Sequence, residues 1–349
     1  MEESMPSLIK YAYEVGNEEM LDSLADILLK QLDFMLPDGA WDNSFGTRNN
    51  KWTYWGSRTS DGCASAFILL AKRNPLFAEA AYRNTELIRS CTYGGLIHGG
   101  PHYFRRGQNP CTHHTFEHAN AIAFALEHLE NDTYDRLPLP CDNAESFRYY
   151  PEINTYKIAS GDYRATVTGY DADVKRGGHV SGGTLTLLWK YGRGPMIAAS
   201  VADYVLVEPQ NMQLTRDSNH RALVPRLVCN IDGVIYSTAY FTSPRLSSEQ
   251  KNGEITVNAV SGLCDSTLLR MREDVDRLCS YTLSPEGMRI SISSVGDARM
   301  ILPLIDGTIC LMCGTIESKK GIFFLTGGFE ATEYIIAPDK NGRIELILK

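Results

Sequence analysis

The stretch RALVPRLVCNIDGVIYSTAYF, Arg221 to Phe241, decides how the larger part of the chain folds. Two runs rich in β-formers meet at Asp232-Gly233, a dipeptide that tolerates successive positive φ angles and so closes a tight hairpin. Similar runs lie on both sides. Upstream are SFRYYPEINTYKIAS, YRATVTGY and GTLTLLWKYG; downstream are GEITVNAVSG, STLLRMRED, RLCSYTLSP, MRISISSVG, ARMILPLIDGTICLMCG, GIFFLTGG, EYIIAP and RIELILK. Pro285-Glu286-Gly287, Asp306-Gly307 and Lys340-Asn341-Gly342 supply further turns. Roughly a dozen strands at this spacing predict a large antiparallel β-sandwich over residues 146–349.

Toward the N-terminus the period changes from two to between three and four. Met5 to Val15 and Asn17 to Leu36 carry apolar residues at helical steps, and Pro37-Asp38-Gly39 ends the second run. Asp61 to Arg73, Pro75 to Cys91 and Thr115 to Leu129 read as three more helices. Long loops, Pro37 to Ser60 and Thr92 to His114, interrupt them. Residues 1–135 are thus read as a helical domain, and the segment from Asn131 to Glu145, with Pro138 and Pro140, as the linker. The expected fold is a multidomain α+β chain: helical hairpins forming part of an (α/α) toroid, then the sandwich. A full toroid needs about twice the helices seen here, at roughly 11–12 residues each, so the toroid is read as incomplete or as continuing upstream of Met1.

Composition narrows the function. The 349 residues are 43% hydrophobic and 22% charged, ordinary for a globular protein, and the formal net charge of -8 argues against nonspecific nucleic-acid binding. An acidic chain that binds an acidic polymer must carry a local basic cluster. No apolar run is long enough for a transmembrane helix. The opening MEESMPSLIKYAYEVG lacks the basic and apolar regions of a secretory signal. Polymer-degrading enzymes work outside the cytoplasm, so the full-length protein is expected in the periplasm or secreted. The nine cysteines are odd in number and scattered, which argues against a complete disulfide framework. Cys310 and Cys313 form one CxxC, a weak zinc signal read as buried free thiols in a strand.

Two loops concentrate chemistry. Trp41 to Gly62 holds three of the four tryptophans, Trp41, Trp52 and Trp55, together with Asn43, Arg48, Tyr54 and Arg58. Aromatic rings stack on the apolar faces of sugars, while Arg and Asn bind carboxylates and hydroxyls. His98 to Ala121 holds five of the eight histidines, His98, His102, His113, His114 and His118, with Tyr103, Arg105 and Arg106. This is the basic cluster an acidic polymer requires, and histidine is the natural proton-transfer group near neutral pH. His114 and His118 are spaced to share one helix face, but no glutamate follows His114, so a metalloprotease is excluded. A third segment, Arg176 to Tyr204, reads as a glycine-rich hairpin with His179 exposed.

The order of helices then sandwich, with the run from His179 through GGTLTLLWKYGRGPMI, resembles the heparinase II/III-like polysaccharide lyases. The resemblance implies that His179 reaches the substrate cleft. It also implies a further Asn or His, a Tyr and a His from the helical loops, for which Asn43, Tyr54, His102, Tyr103, His113 and His114 are candidates. The second His and the Asp usual near the sandwich histidine are replaced here by Ser181, Gly182 and Gly183. A lyase of this kind neutralises a uronate carboxylate, removes the proton α to it and expels the neighbouring sugar. The roles assigned are neutralisation by Asn43 with Arg48 or Arg58, acid/base work by Tyr103 and His113 or His114, and support from His179. Trp41, Trp52, Tyr54, Trp55, Arg58, Arg48, His98, His102, Arg105, Arg106 and His118 are expected to bind substrate. The sequence identifies no certain cofactor, and a divalent metal, zinc or calcium, stays open. The partner is an acidic polysaccharide or oligosaccharide. Two rivals remain: a glycoside hydrolase using two of Asp42, Asp61 and Glu117, and a non-catalytic glycan-binding protein.

Overall fold

The computed structural model describes residues 4–44, 54–55, 63–98, 104–107, 109–129, 133–170, 181–198, 205–208, 213–215, 223–267, 277–293, 296–324 and 329–349. The chain divides into two compact units, one of Met1–Asn43 with Tyr54–Asn143, the other of Ser44–Thr53 with Ala144–Lys349.

Five helices among the described residues belong to the first unit: α1 (Met5–Glu14), α2 (Glu18–Gln31), α3 (Cys63–Leu69), α4 (Leu76–Ser90) and α5 (Thr112–His128). They form no helical toroid, which corrects the expectation from sequence. Segments expected to run on as helix turn away early. α2 gives way to a 3-10 turn at Leu32–Phe34, and the intervening loops form two-stranded pairs, Trp41–Asp42 with Tyr54–Trp55 and Thr92–Tyr93 with Leu96–Ile97. Taken with the second unit, the described chain is dominated by antiparallel sheet.

Local signals explain where the helices begin and bend. Asn17 caps α2 by accepting the Met20 N–H at 3.0 Å, and Glu18 and Glu19 follow in the first turn, where the helix dipole favours acids. Gly39, at φ +88°, closes the turn after Pro37, and a Cβ there would collide with the Arg83 carbonyl of α4. Only glycine therefore fits. Inside the unit, Trp41 stacks on Phe67 at 5.5 Å and 11°, and Phe67 meets Phe77 edge-on at 5.3 Å. A charged clamp secures the C-terminal end of the unit to α4. Arg83 donates to both carboxylate oxygens of Asp142, at 2.7 and 2.8 Å, and to Glu79 at 2.6 Å. Arg136 pairs with the same Glu79, which is 3% exposed.

The second unit contains three large antiparallel sheets. A five-stranded meander runs in chain order through Glu145–Tyr150, Thr155–Ser160, Tyr163–Thr168, Thr184–Lys190 and Gly194–Ala198. A six-stranded sheet follows the order Arg245–Lys251, Glu254–Ser261, Arg277–Ser284, Gly287–Ser293, Ile344–Leu348 and Ile309–Cys313. Another follows Cys264–Asp265, Val234–Ser237, Arg226–Ile231, Arg299–Leu304, Phe329–Ala337 and Thr315–Phe324. All three feed one apolar core, including Ile158, Val167, Leu188, Val257, Ile290, Met300, Leu302, Ile336 and Leu346. Strand Glu254–Ser261 alternates half-buried and buried along its length, as a strand with one core face must. Tyr163–Thr168 is buried at every position instead, so both of its faces are covered.

The Asp232-Gly233 hairpin forms as read, with φ of 51° and 82° at the turn and Ile231 paired to Val234. Asn252-Gly253, with φ of 53° and 79°, makes a second turn of the same kind between Lys251 and Glu254. The CxxC expectation needs correcting. Ile309–Cys313 is an edge strand, so alternate side chains face water, and Cys310 is exposed while Cys313 is only half-buried. The cysteines whose side chains are described form no disulfide with one another.

Candidate active site

Three of the sequence-predicted residues, His113, His114 and His118, lie toward the N-terminal end of α5. The helix starts three residues earlier than the sequence suggests and so takes in His113 and His114. Cys111 has the extended backbone of a cap residue, φ -98° and ψ 104°. Its N–H donates to the Ile97 carbonyl at 2.9 Å, and the Ile97 N–H donates to Thr115 Oγ1 at 3.0 Å. Thr115 Oγ1 in turn donates to the Cys111 carbonyl at 2.7 Å. These bonds pin the short hairpin Thr92–Ile97 to the helix start and fix the register of the histidines that follow.

α5 then presents two stripes. His114, His118 and Ala125 are buried, the spacing of a core face. His114 Nδ1 lies 2.7 Å from Cys111 Sγ, an interaction that orients the imidazole. The neighbouring stripe faces a cavity of about 330 Å³, lined by His113, Glu117, Asn120, Phe124 of α5, Lys10 of α1 and Ser65 of α3. Lys10 Nζ stands 5.1 Å from the Phe124 ring centroid, within cation–π range. Tyr13 ties α1 to α3 behind this cavity by donating to the Leu69 carbonyl at 2.6 Å. Burial raises the Tyr13 phenol above its ordinary range, only partly opposed by Arg73. A surface imidazole, an ammonium, a carboxylate and an amide on one concave wall can bind an anionic sugar and move a proton. The size is that of a small-molecule site.

A second cluster sits on the hairpin side. Tyr93 and Phe104 stack in parallel, with centroids 4.1 Å apart and planes at 8°. His98, 5% exposed, meets both rings edge-on at 5.5 and 5.3 Å. Arg105 and Arg106 are exposed on the same turn.

The sequence-predicted residues fare unevenly. His113 is exposed on the cavity wall, while Arg105 and Arg106 are exposed beside the aromatic stack. His98, His114 and His118 are buried, so their present role is packing and orientation. Trp41 is 1% exposed against Phe67, which leaves no ring face for a sugar and makes it a core residue, not a binding platform. Asn43 is half-buried next to it. Tyr54 and Trp55 pair through their backbones with Asp42 and Trp41. Arg48, Trp52, Arg58, His102, Tyr103 and His179 lie outside the described residues. Ser181 is buried and Gly182, at φ +62°, packs so closely on the Thr238 carbonyl that a Cβ would collide with it. Backbone proximity accounts for the glycine there. Lys10, Tyr93, Phe104, Asn120 and Phe124 were not singled out from sequence. Isolated on helices and a turn, they carry no motif, and only the i, i+4, i+7, i+11 spacing of His113, Glu117, Asn120 and Phe124 foreshadowed a shared stripe.

For the hydrolase alternative, Asp42 is fully buried, Glu117 is exposed on α5 and Asp61 lies outside the described residues. Among the described residues no group of three or more His, Cys, Asp or Glu is placed to hold a metal ion, and no helix is long and apolar enough to cross a membrane.

Comparison with known proteins names the class. Residues 1–140 match the family model described as Ulvan lyase N-terminal domain, and residues 147–309 match the one described as Ulvan lyase C-terminal domain. Between them the two models span most of the chain, which belongs to the ulvan lyase family of polysaccharide lyases. The chain is also 36% identical over 303 residues to a broad-specificity ulvan lyase of Formosa agariphila, a match covering 85% of this chain and 47% of that protein. The chain thus spans about half the length of the curated relative it matches. The polysaccharide-lyase reading of the sequence agrees with this family, and the matched models are those of ulvan lyases.

Proposed function

We propose that this chain takes part in cleaving a uronic-acid-containing polysaccharide, ulvan foremost, by β-elimination. The observation that carries the reading is the succession of two ulvan lyase domains along one chain. The α5 cavity supports it chemically. His113 is a surface imidazole on the cavity wall, the side-chain type most used for proton transfer. Lys10 of α1 and Asn120 of α5 supply positive charge and an amide donor to the same cavity, which suits a carboxylate whose charge must be masked before the adjacent proton leaves. His114, held by Cys111, backs His113 with ring centroids 5.1 Å apart. Asn43, Tyr103 and His179 keep the roles assigned to them from sequence. A polymer cannot cross a membrane, so we place the full-length protein in the periplasm or outside the cell.

The test is ultraviolet absorbance of the conjugated double bond that β-elimination alone creates, followed on ulvan, heparan, chondroitin, alginate and glucuronan. Absorbance is expected to rise on ulvan. New reducing ends without absorbance would replace this reading with hydrolysis. In the His113→Ala variant the rate is expected to fall by about 10²–10⁴-fold with the unfolding midpoint unchanged; full activity would remove His113 from the scheme. Because protein donors mask the carboxylate in this scheme, turnover is expected to survive a chelator. Loss of activity restored by zinc or calcium would assign a metal instead.

A further inference from the structure

We propose that Tyr93 and Phe104 form a stacking platform for an anionic sugar unit, with Arg105 and Arg106 contributing the charge that selects it. The platform is separate from the α5 cavity, and only the identity of its polymer rests on the lyase reading.

Single exposed apolar side chains are ordinary, whereas an ordered pair of exposed aromatic rings needs a reason. Here Tyr93 is 39% and Phe104 49% exposed, yet the two rings are ordered against each other in parallel at 4.1 Å. Each ring spends one face on its partner. His98 is nearly equidistant from the two centroids, at 5.5 and 5.3 Å, so its imidazole lies against the flank of the stack and covers neither outer face.

Both rings are carried on braced backbone. Tyr93 pairs with Leu96 in the hairpin, and that hairpin is bonded to α5 through Ile97 and Cys111. Phe104 opens a turn closed by the Gly107 N–H donating to its carbonyl at 3.0 Å. A preorganised aromatic face is suited to the C–H face of a pyranose, since little side-chain freedom remains to be lost.

Charge decides which sugar. Arg105 and Arg106 directly follow Phe104 and are both exposed, on a chain whose formal net charge is -8. Guanidinium groups match carboxylate and sulfate oxygens in geometry as well as charge. A neutral sugar would gain from the rings alone.

The experiment is affinity electrophoresis of the whole chain through gels containing ulvan, alginate or dextran, with Phe104→Ala and Arg105→Glu beside the wild type. Ulvan is expected to retard the wild type and dextran not to. Retardation by alginate as well would identify the carboxylate as the recognised group; its absence would point to another anionic substituent. Phe104→Ala is expected to weaken binding about 2–12-fold, and Arg105→Glu to abolish most of its salt-sensitive part. Circular dichroism and the unfolding midpoint of each variant are expected to match the wild type, because both side chains are exposed. Unchanged retardation in both variants, equal retardation by dextran, or no retardation of the wild type would each overturn the platform. The absorbance assay judges the lyase reading separately: binding without elimination would sink that reading and leave the platform standing.

Discussion

In the helical unit a guanidinium, Arg83, bridges Glu79 and Asp142, and Arg136 reinforces Glu79 from the other side. In the β unit the corresponding work falls to apolar side chains from three sheets meeting in one core, among them Val257, Ile290, Leu302 and Leu346, each fully buried. The difference follows from geometry. Strands with one buried face stack into an interior large enough to be closed by carbon alone. The few short helices here cannot enclose so much, and a directional charged clamp fixes a chain segment that apolar contact would leave loose. It also sorts function. Both proposed binding surfaces lie in the helical unit, on helix and hairpin positions braced by the hydrogen bonds around Cys111, Thr115 and Ile97.

This contrast can be broken by mutation. Leu346→Ala, in the fully buried strand face, is expected to cost about 2–5 kcal/mol in urea unfolding through lost contacts and the cavity left behind; a loss below about 1 kcal/mol would mean the sheet core is not the main support of that unit. Arg83→Ala is expected to cost about 3 kcal/mol, because it removes a cation shared by two carboxylates in a partly buried place and leaves Glu79 to Arg136 alone. If Arg83→Met proved as stable as the wild type, the clamp would be replaceable by packing and the contrast between the units would fade.

The clamp also makes a pH prediction. Burial alone would raise the Glu79 carboxyl, but hydrogen bonds from Arg136 and Arg83 outweigh it and hold the group below its ordinary range. A carboxyl depressed in the folded state stabilises fully above its unfolded value, near about 4.3, and loses that contribution as pH falls toward its folded value. The stability gap between wild type and Glu79→Gln is therefore expected to be constant from neutral pH down to about 5 and to narrow below it. A gap that widened on acidification would contradict the assignment. The smallest effect is expected at the exposed end of the same unit, where Arg73 pairs with Asp22 at 3.0 Å. Asp22→Ala is expected to change stability by less than about 1 kcal/mol, and less still in high salt.

Legibility differed between the units. Strand segments, the Asp232-Gly233 turn and the helical identity of α1 to α5 could be read directly, because alternation, Asn17 as a cap and Asp-Gly or Pro-Gly punctuation are local signals. The toroid could not be supported, since counting helical segments does not say how they pack, and two of the loops fold into strand pairs. Among site residues, the basic cluster around His113, Arg105 and Arg106 was visible as composition. Trp41 misled because a tryptophan in a polar loop looks like a sugar platform, yet here it faces Phe67.

The sequence by itself determined where the chain changes from helix to sheet, which turns must be tight, and that an acidic protein carries a local basic, histidine-rich segment. Those are properties of neighbours along the chain, set by backbone sterics and side-chain period. Only the tertiary structure decided that His113 faces the cavity while His114 and His118 turn inward, and that Lys10 meets Phe124. It alone showed Tyr93 and Phe104 to be one surface. A rotation of about 100° per residue around a helix separates a cavity-facing imidazole from a core contact, and residues far apart in sequence share a site only when packing brings their backbones together.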